Sequence, residues 1–210
     1  MCRSLFLALL LPIASAALAD SVIWDQSPAT WGGVNGFTAF NIQDSQNFTD
    51  AVTFDQPHWV TGVDVYTSID TIGVNDPVVV RVFSDSGGQP GALLAESLES
   101  IDFRDGQGAA GPDIVRIGAG LTSPILLQAN TTYWIGMSGN QVQLGQDFLL
   151  LDPPFADGRA AQMDGATFDF LQGAFGDQAF RLHGRAVPEP SALLAAAMAA
   201  IALPWRRRAG

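Results

Sequence analysis

Lysine is missing from this chain of 210 residues, and cysteine occurs once, at Cys2. Without lysine there is neither a P-loop lysine nor a Schiff-base amine. A lone cysteine near the start leaves no internal disulfide and no thiolate zinc site, so the fold rests on its core and on any bound ions. The sequence also lacks a Gly-x-Ser-x-Gly elbow and a His-Glu-x-x-His pair. Its two histidines, His58 and His183, sit in strand-like contexts and read as structural side chains. Glycoside hydrolysis needs two carboxylates about 5 to 10 Å apart. Glu96 and Glu99 would share a helix face if Ala92 to Ser100 were helical, yet their polar surroundings read as solvated charge. No catalysis is expected.

Positive charge is scarce as well. Residues 20–186 hold six arginines against eighteen aspartates and two glutamates, a formal charge of −14. Such a segment repels phosphate, which argues against nucleic acid as a partner. Two readings of the acidity stand, solubility outside the cell and calcium ligation. The Asp102-x-x-Asp105-Gly106 turn and the stretch from Asp152 to Asp157-Gly158 offer oxygen ligands beside a glycine, without the spacing of an EF-hand loop.

The two ends of the chain carry the strongest patterns. Arg3, the apolar stretch Leu5 to Ile13, and Ala17-Leu18-Ala19 have the order of a signal peptide: charge, apolar core, small-x-small cleavage site. This predicts cleavage after Ala19 and export. At the other end come Val187-Pro188-Glu189-Pro190-Ser191, an apolar run from Ala192 to Leu203, and Trp205-Arg206-Arg207-Arg208. The prolines keep the motif out of any helix interior, and Ser191 can cap a helix that begins after them. Trp205 suits a membrane interface, and the three arginines suit its cytoplasmic side. As a helix the run is about 18 Å long, short of the roughly 30 Å of bilayer hydrocarbon.

This tail resembles the PEP-CTERM sorting signal of Gram-negative bacteria, in which a Pro-Glu-Pro motif, a membrane helix and an arginine cluster follow in that order. The resemblance implies passage through the inner membrane as an anchored precursor, recognition by an exosortase, cleavage near the motif, and delivery to the cell surface or an exopolysaccharide matrix. The expected organisation is a signal peptide at 1–19, one domain at 20–186 and the sorting signal at 187–210.

The central segment reads as strands. Trp59, Val63 and Val65 fall on one face of a period-two run from His58 to Thr67. Val78, Val80 and Val82 oppose Val79, Arg81 and Phe83. Similar runs recur at Phe37 to Ile42, Phe48 to Phe54, Asp113 to Ile117, Pro124 to Leu127, Thr131 to Ser138, Val142 to Leu151 and Ala179 to His183. Gly/Pro/Asn/Asp clusters such as Ser86 to Gly91 separate them. Eight to ten strands without a sustained helical period predict an all-β fold, a single antiparallel β-sandwich of jelly-roll type. Arg81 to Leu94, followed by Leu127 to Gly136, is similar to the sandwich module of anchored bacterial surface proteins called choice-of-anchor domains. That resemblance implies a surface-displayed module.

A non-enzymatic surface or matrix protein is therefore the primary expectation, with a carbohydrate-binding module on exopolysaccharide as its alternative. Sugar-binding sandwiches set sugar faces against exposed aromatic rings with polar groups nearby. Trp24, Trp31 and Trp59 are the candidates, with Asp25, Gln26, Asn35 and Asn41 near the first two in sequence. Trp31, between Thr30 and Gly32-Gly33, reads as an exposed ring in a loop, whereas Trp134 reads as core.

Overall fold

Val78, Val80 and Val82, each at most 1% exposed, share one face, as their alternation predicts, and that face meets the core of the protein. They lie on one of fourteen strands that the computed structural model describes within residues 20–27, 37–41, 47–67, 72–105, 114–140, 142, 144–149, 159–164, 167–170 and 177–188. In chain order these are β1 (Ser21–Asp25), β2 (Phe37–Asn41), β3 (Asn47–Thr53), β4 (His58–Thr67), β5 (Pro77–Asp85), β6 (Pro90–Ser100) and β7 (Phe103–Asp105). There follow β8 (Val115–Leu127), β9 (Thr132–Gly139), β10 (Leu144–Leu149), β11 (Ala161–Asp164), β12 (Thr167–Phe170), β13 (Asp177–Gln178) and β14 (Phe180–Ala186). No helix occurs among the described residues.

The strands form a five-stranded sheet in the order β1-β14-β4-β8-β7 and a six-stranded sheet in the order β12-β11-β3-β9-β5-β6. Every pairing is antiparallel. Val63, Val65, Ile117, Phe180 and Leu182 of the first sheet meet Val52, Val80, Val82, Ile135 and Met137 of the second in one core, so the architecture is a β-sandwich. Burying each such side chain contributes about 1.5–3 kcal/mol before conformational entropy is counted. A short third sheet, β13-β10-β2, adds Leu144 to the same core. One compact unit runs from Asp20 to Val187. The expected signal peptide and nearly all of the sorting signal lie outside the described residues.

Three expectations need correction. Residues 92–100 are not helical but belong to β6, which pairs with β5 from Pro77↔Ser100 to Asp85↔Pro90. The cause is the turn before it. Gly87 and Gly88 both have positive φ, and the Ser86 N–H to carbonyl geometry closes on Gln89 at 2.7 Å. Such a two-residue turn matches strand twist and sends the chain straight back along β5, overriding the helix propensity of Ala, Leu and Glu.

The second correction concerns Trp59, which does not share a face with Val63 and Val65. Both neighbours of β4 skip Thr61: β14 pairs Gly184 with Val60 and His183 with Gly62, and β8 jumps from Ile125 to Gly120. This bulge inverts the alternation, so Val60 enters the core and Trp59 stays on the half-exposed outer side. The third is that the two runs expected at 113–117 and 124–127 are parts of one long strand, β8. Its residues between Gly120 and Ile125 swing toward β6, where the Thr122 N–H and hydroxyl both donate to Glu99, each at 2.8 Å.

A candidate ligand site on the outer face of the five-stranded sheet

The outer face of the five-stranded sheet carries charge where a solvated strand face would carry isolated polar residues. Asp64 projects from the middle strand β4 and is only 1% exposed. From β14 on one side, His183 Nε2 lies 2.7 Å from Asp64 Oδ2. From β8 on the other, Arg116 Nη1 lies 3.7 Å from the same oxygen. Arg116 also reaches Asp105 Oδ2 at 3.4 Å and sits over the Phe103 ring at 4.7 Å from its centroid. A buried carboxylate is costly unless paired, and this one is paired from both flanking strands.

Glycine makes the arrangement sterically feasible. Gly118 of β8 stands between Asp64 and Phe103. A Cβ there would fall 2.0 Å from Phe103 Cε1 and 2.6 Å from Asp64 Oδ1, so the ring and the carboxylate occupy the space a side chain would take. Farther along the same strands, Gly62 and Gly120 leave a depression with a cavity volume of about 190 Å³. Thr61, Asp64, Asp102, Phe103 and His183 line its walls, and Asp20 lies at its rim. Thr61 is the bulged residue of β4; bulges often occur where a strand must re-aim a side chain.

The polar groups of this cavity are held in place. The Gly120 N–H donates to Asp102 Oδ2 at 2.8 Å, and Arg185 Nη1 donates to Asp20 Oδ1 at 3.1 Å. His183 Nε2 is committed to Asp64, which leaves Nδ1 as the ring's remaining polar atom. Lower on the same face, Arg181 bonds Asp25 and Ser27, both at 3.0 Å. Burial disfavours the Asp25 charge, but the donors of Arg181 and Ser27 outweigh it and hold the carboxyl below its usual range. Tyr66 beside Arg181 has its phenol pushed up by burial.

The residues singled out from sequence fare unevenly. His58 is a core-edge side chain, 8% exposed, with Nδ1 2.8 Å from the Gln56 carbonyl and its ring against Phe54. His183 is also satisfied, yet it lines the cavity. Glu96 and Glu99 share no face: Glu96 pairs with Arg81 at 2.7 Å, while Glu99 turns inward, 8% exposed. Asp102 and Asp105 do not converge on a common point, since one holds the Gly120 N–H and the other Arg116. Among the described residues no three His, Cys, Asp or Glu side chains could hold a metal ion together. Trp24 packs edge-on against Phe54, with ring centroids 5.6 Å apart, and bonds Gln26 through its indole N–H. Trp134 is fully buried, in a satellite cluster with Ala51, Phe83 and Ala161, and donates to Asp85 at 2.9 Å.

Of the sorting motif, Val187 and exposed Pro188 are described, and the Val187 N–H donates to the Pro57 carbonyl at 2.8 Å. Glu189, Pro190, Trp205, Arg206, Arg207, Arg208, Ala17, Ala19, Trp31 and the 152–158 turn lie outside the described residues. Sequence reading missed Thr61, Asp64, Phe103 and Arg116. The one available signal was an aspartate inside an otherwise apolar strand, Val63-Asp64-Val65, with glycines on the partner strand. Compared with protein-family models and with curated proteins, the chain matches none.

Proposed function

We propose that this chain is an exported, non-enzymatic protein of the cell surface or extracellular matrix, sorted by an exosortase through its C-terminal signal. Within that reading the sandwich is of jelly-roll type and the flanks are a signal peptide and a membrane helix. The observation that carries it is the order of parts: charge, apolar core and small-x-small site, then an acidic domain, then Pro-Glu-Pro, apolar run and arginines. A compact disulfide-free unit from Asp20 to Val187, followed by an exposed proline, supports it, because a processing enzyme needs its motif in accessible, extended chain. Mass spectrometry of both termini of the surface form tests the reading. The expected N-terminus is Asp20 and the expected C-terminus falls within the 187–190 motif; an intact Met1 on the surface form refutes it.

The cavity on the five-stranded sheet favours a second, compatible reading, a carbohydrate-binding module acting on exopolysaccharide. Its walls combine hydrogen-bonding groups with one aromatic ring on a rigid sheet.

A further inference from the structure

We infer that the cavity between Thr61, Asp102, Phe103 and His183 is a subsite for one neutral sugar ring, with uronic acids excluded. The inference rests on the carbohydrate-binding reading and names its ligand class and location. Three chemical classes can be weighed against the groups present. Asp20, Asp64 and Asp102 all border the space, so a carboxylate or phosphate entering it would meet like charge in a domain that is already acidic. A metal ion finds no three ligands placed to share it among the described residues. The carboxylates are also already engaged, Asp64 by His183 and Arg116, Asp20 by Arg185 and Asp102 by the Gly120 N–H.

What the cavity still offers suits hydroxyl groups. A carboxylate oxygen that accepts one hydrogen bond retains further lone pairs, a threonine hydroxyl both donates and accepts, and the imidazole held by Asp64 keeps Nδ1 as a polar atom that a hydroxyl can match as donor or acceptor. The Phe103 ring supplies an apolar wall for the C–H face of a pyranose. The floor is backbone at Gly62 and Gly120, which lets a flat ring settle where side chains would stand. The volume of about 190 Å³ is below the roughly 300–1,000 Å³ of pockets that enclose a whole drug-sized ligand, so one ring enters and the rest of a polymer lies outside. Thr61, Phe103 and His183 stand on paired strands, and the Asp102 N–H donates to the Gly118 carbonyl at 3.0 Å, so little ordering is needed on binding.

The test is titration of the isotopically labelled full-length protein in detergent with glucose, galactose, mannose and rhamnose, and with glucuronic acid, followed by NMR. At least one neutral sugar is expected to shift the amide signals of Gly62 and Gly120 and the His183 ring, and glucuronic acid is not. Asp102→Asn keeps an acceptor for the Gly120 N–H but removes the charge, and Thr61→Val keeps the shape but removes the hydroxyl. Each is expected to weaken the neutral sugar by about tenfold, the loss of one well-placed hydrogen bond, with the melting midpoint of the protein unchanged. No shift with any neutral sugar at about 50 mM, where even a millimolar site is filled, overturns both this subsite and the carbohydrate-binding reading. Binding that survives both substitutions overturns the subsite alone, as does a preference for glucuronic acid. None of these outcomes touches the export reading, which depends on the processed termini.

Discussion

Replacing Gly118 with alanine puts a methyl group where the Phe103 ring already is. The added carbon would lie 2.0 Å from Cε1, 2.4 Å from Cζ and 2.6 Å from Asp64 Oδ1. Carbon atoms rest at about 3.5–4.0 Å, so the ring must retreat by about 1.5 Å. It can do so because Phe103 begins a three-residue edge strand and is only half-buried. The retreat costs the cation–π contact with Arg116, worth about 0.5–1 kcal/mol at a solvent-accessible site. Together with the strain of overpacking, the expected loss is about 1–3 kcal/mol. The ring makes the two closest approaches, so Phe103→Ala should relieve that part and leave the Asp64 contact: Gly118→Ala made in the Phe103→Ala background should cost about 1 kcal/mol less than in the wild type, as coupling between contacting residues requires. Gly184→Ala is the contrast, because its Cβ would meet the Trp59 carbonyl oxygen at 2.1 Å, and backbone paired on both sides cannot withdraw. Urea denaturation of the four proteins of the cycle decides the matter. Additivity within about 0.5 kcal/mol, or a neutral Gly118→Ala, would refute the account of the glycine as space for the ring.

Glu99 is held below the ordinary range: burial works against its charge, but the Ser97 hydroxyl and the Thr122 N–H and hydroxyl outweigh that. Its contribution to stability is therefore complete above the ordinary value of 4.5 and is lost as pH falls below it, so Glu99→Gln should lower stability near neutrality and flatten the acid limb of the pH–stability curve. Trp134→Phe removes the indole donor that chiefly depresses the Asp85 carboxyl; the carboxyl should titrate higher by NMR, with a stability loss of about 1–2 kcal/mol. Leu98, 64% exposed on edge strand β6, should accept lysine within about 0.5 kcal/mol while lowering self-association by light scattering. The melting midpoint should be the same with and without reductant, since a single cysteine forms no internal bridge.

Legibility in the sequence followed how local each determinant is. The two faces of β5 were separable by period-two alternation alone, but which of them meets the main core was not, since Val79, Arg81 and Phe83 on the other face are buried as well. The fully buried Trp134 was likewise legible, although its cluster lies apart from the main core. Trp59 was misplaced because a single extra residue, Thr61, inverts the alternation, and no composition rule announces a bulge. Ala92 to Ser100 carries helix-forming residues, but a hairpin turn decided its fate from outside the segment. The candidate site was hidden for a different reason. Thr61, Phe103, Gly118 and His183 meet only because β14, β4, β8 and β7 lie side by side, an order that does not follow the chain. His183 read correctly as a satisfied residue, but that its partner is a buried aspartate on the wall of a cavity is a property of strand pairing.

The place of β14 in its sheet has a mechanical consequence. It is the last strand among the described residues, yet it lies between β1 and β4 and is bonded along both sides. Antiparallel hydrogen bonds run perpendicular to the strands, so tension drawn along β14 loads many of them together in shear, whereas an edge strand pulled sideways opens one bond after another. The Val187 N–H bond to Pro57 extends that grip to the last residue before the proline. Were the chain tethered by its C-terminal tail, as proposed, drag from flow or from a stretched matrix would enter at that residue. Under the proposed anchoring, the tether would pull on an interior rung of the sheet, where resistance to force is shared by two ladders at once.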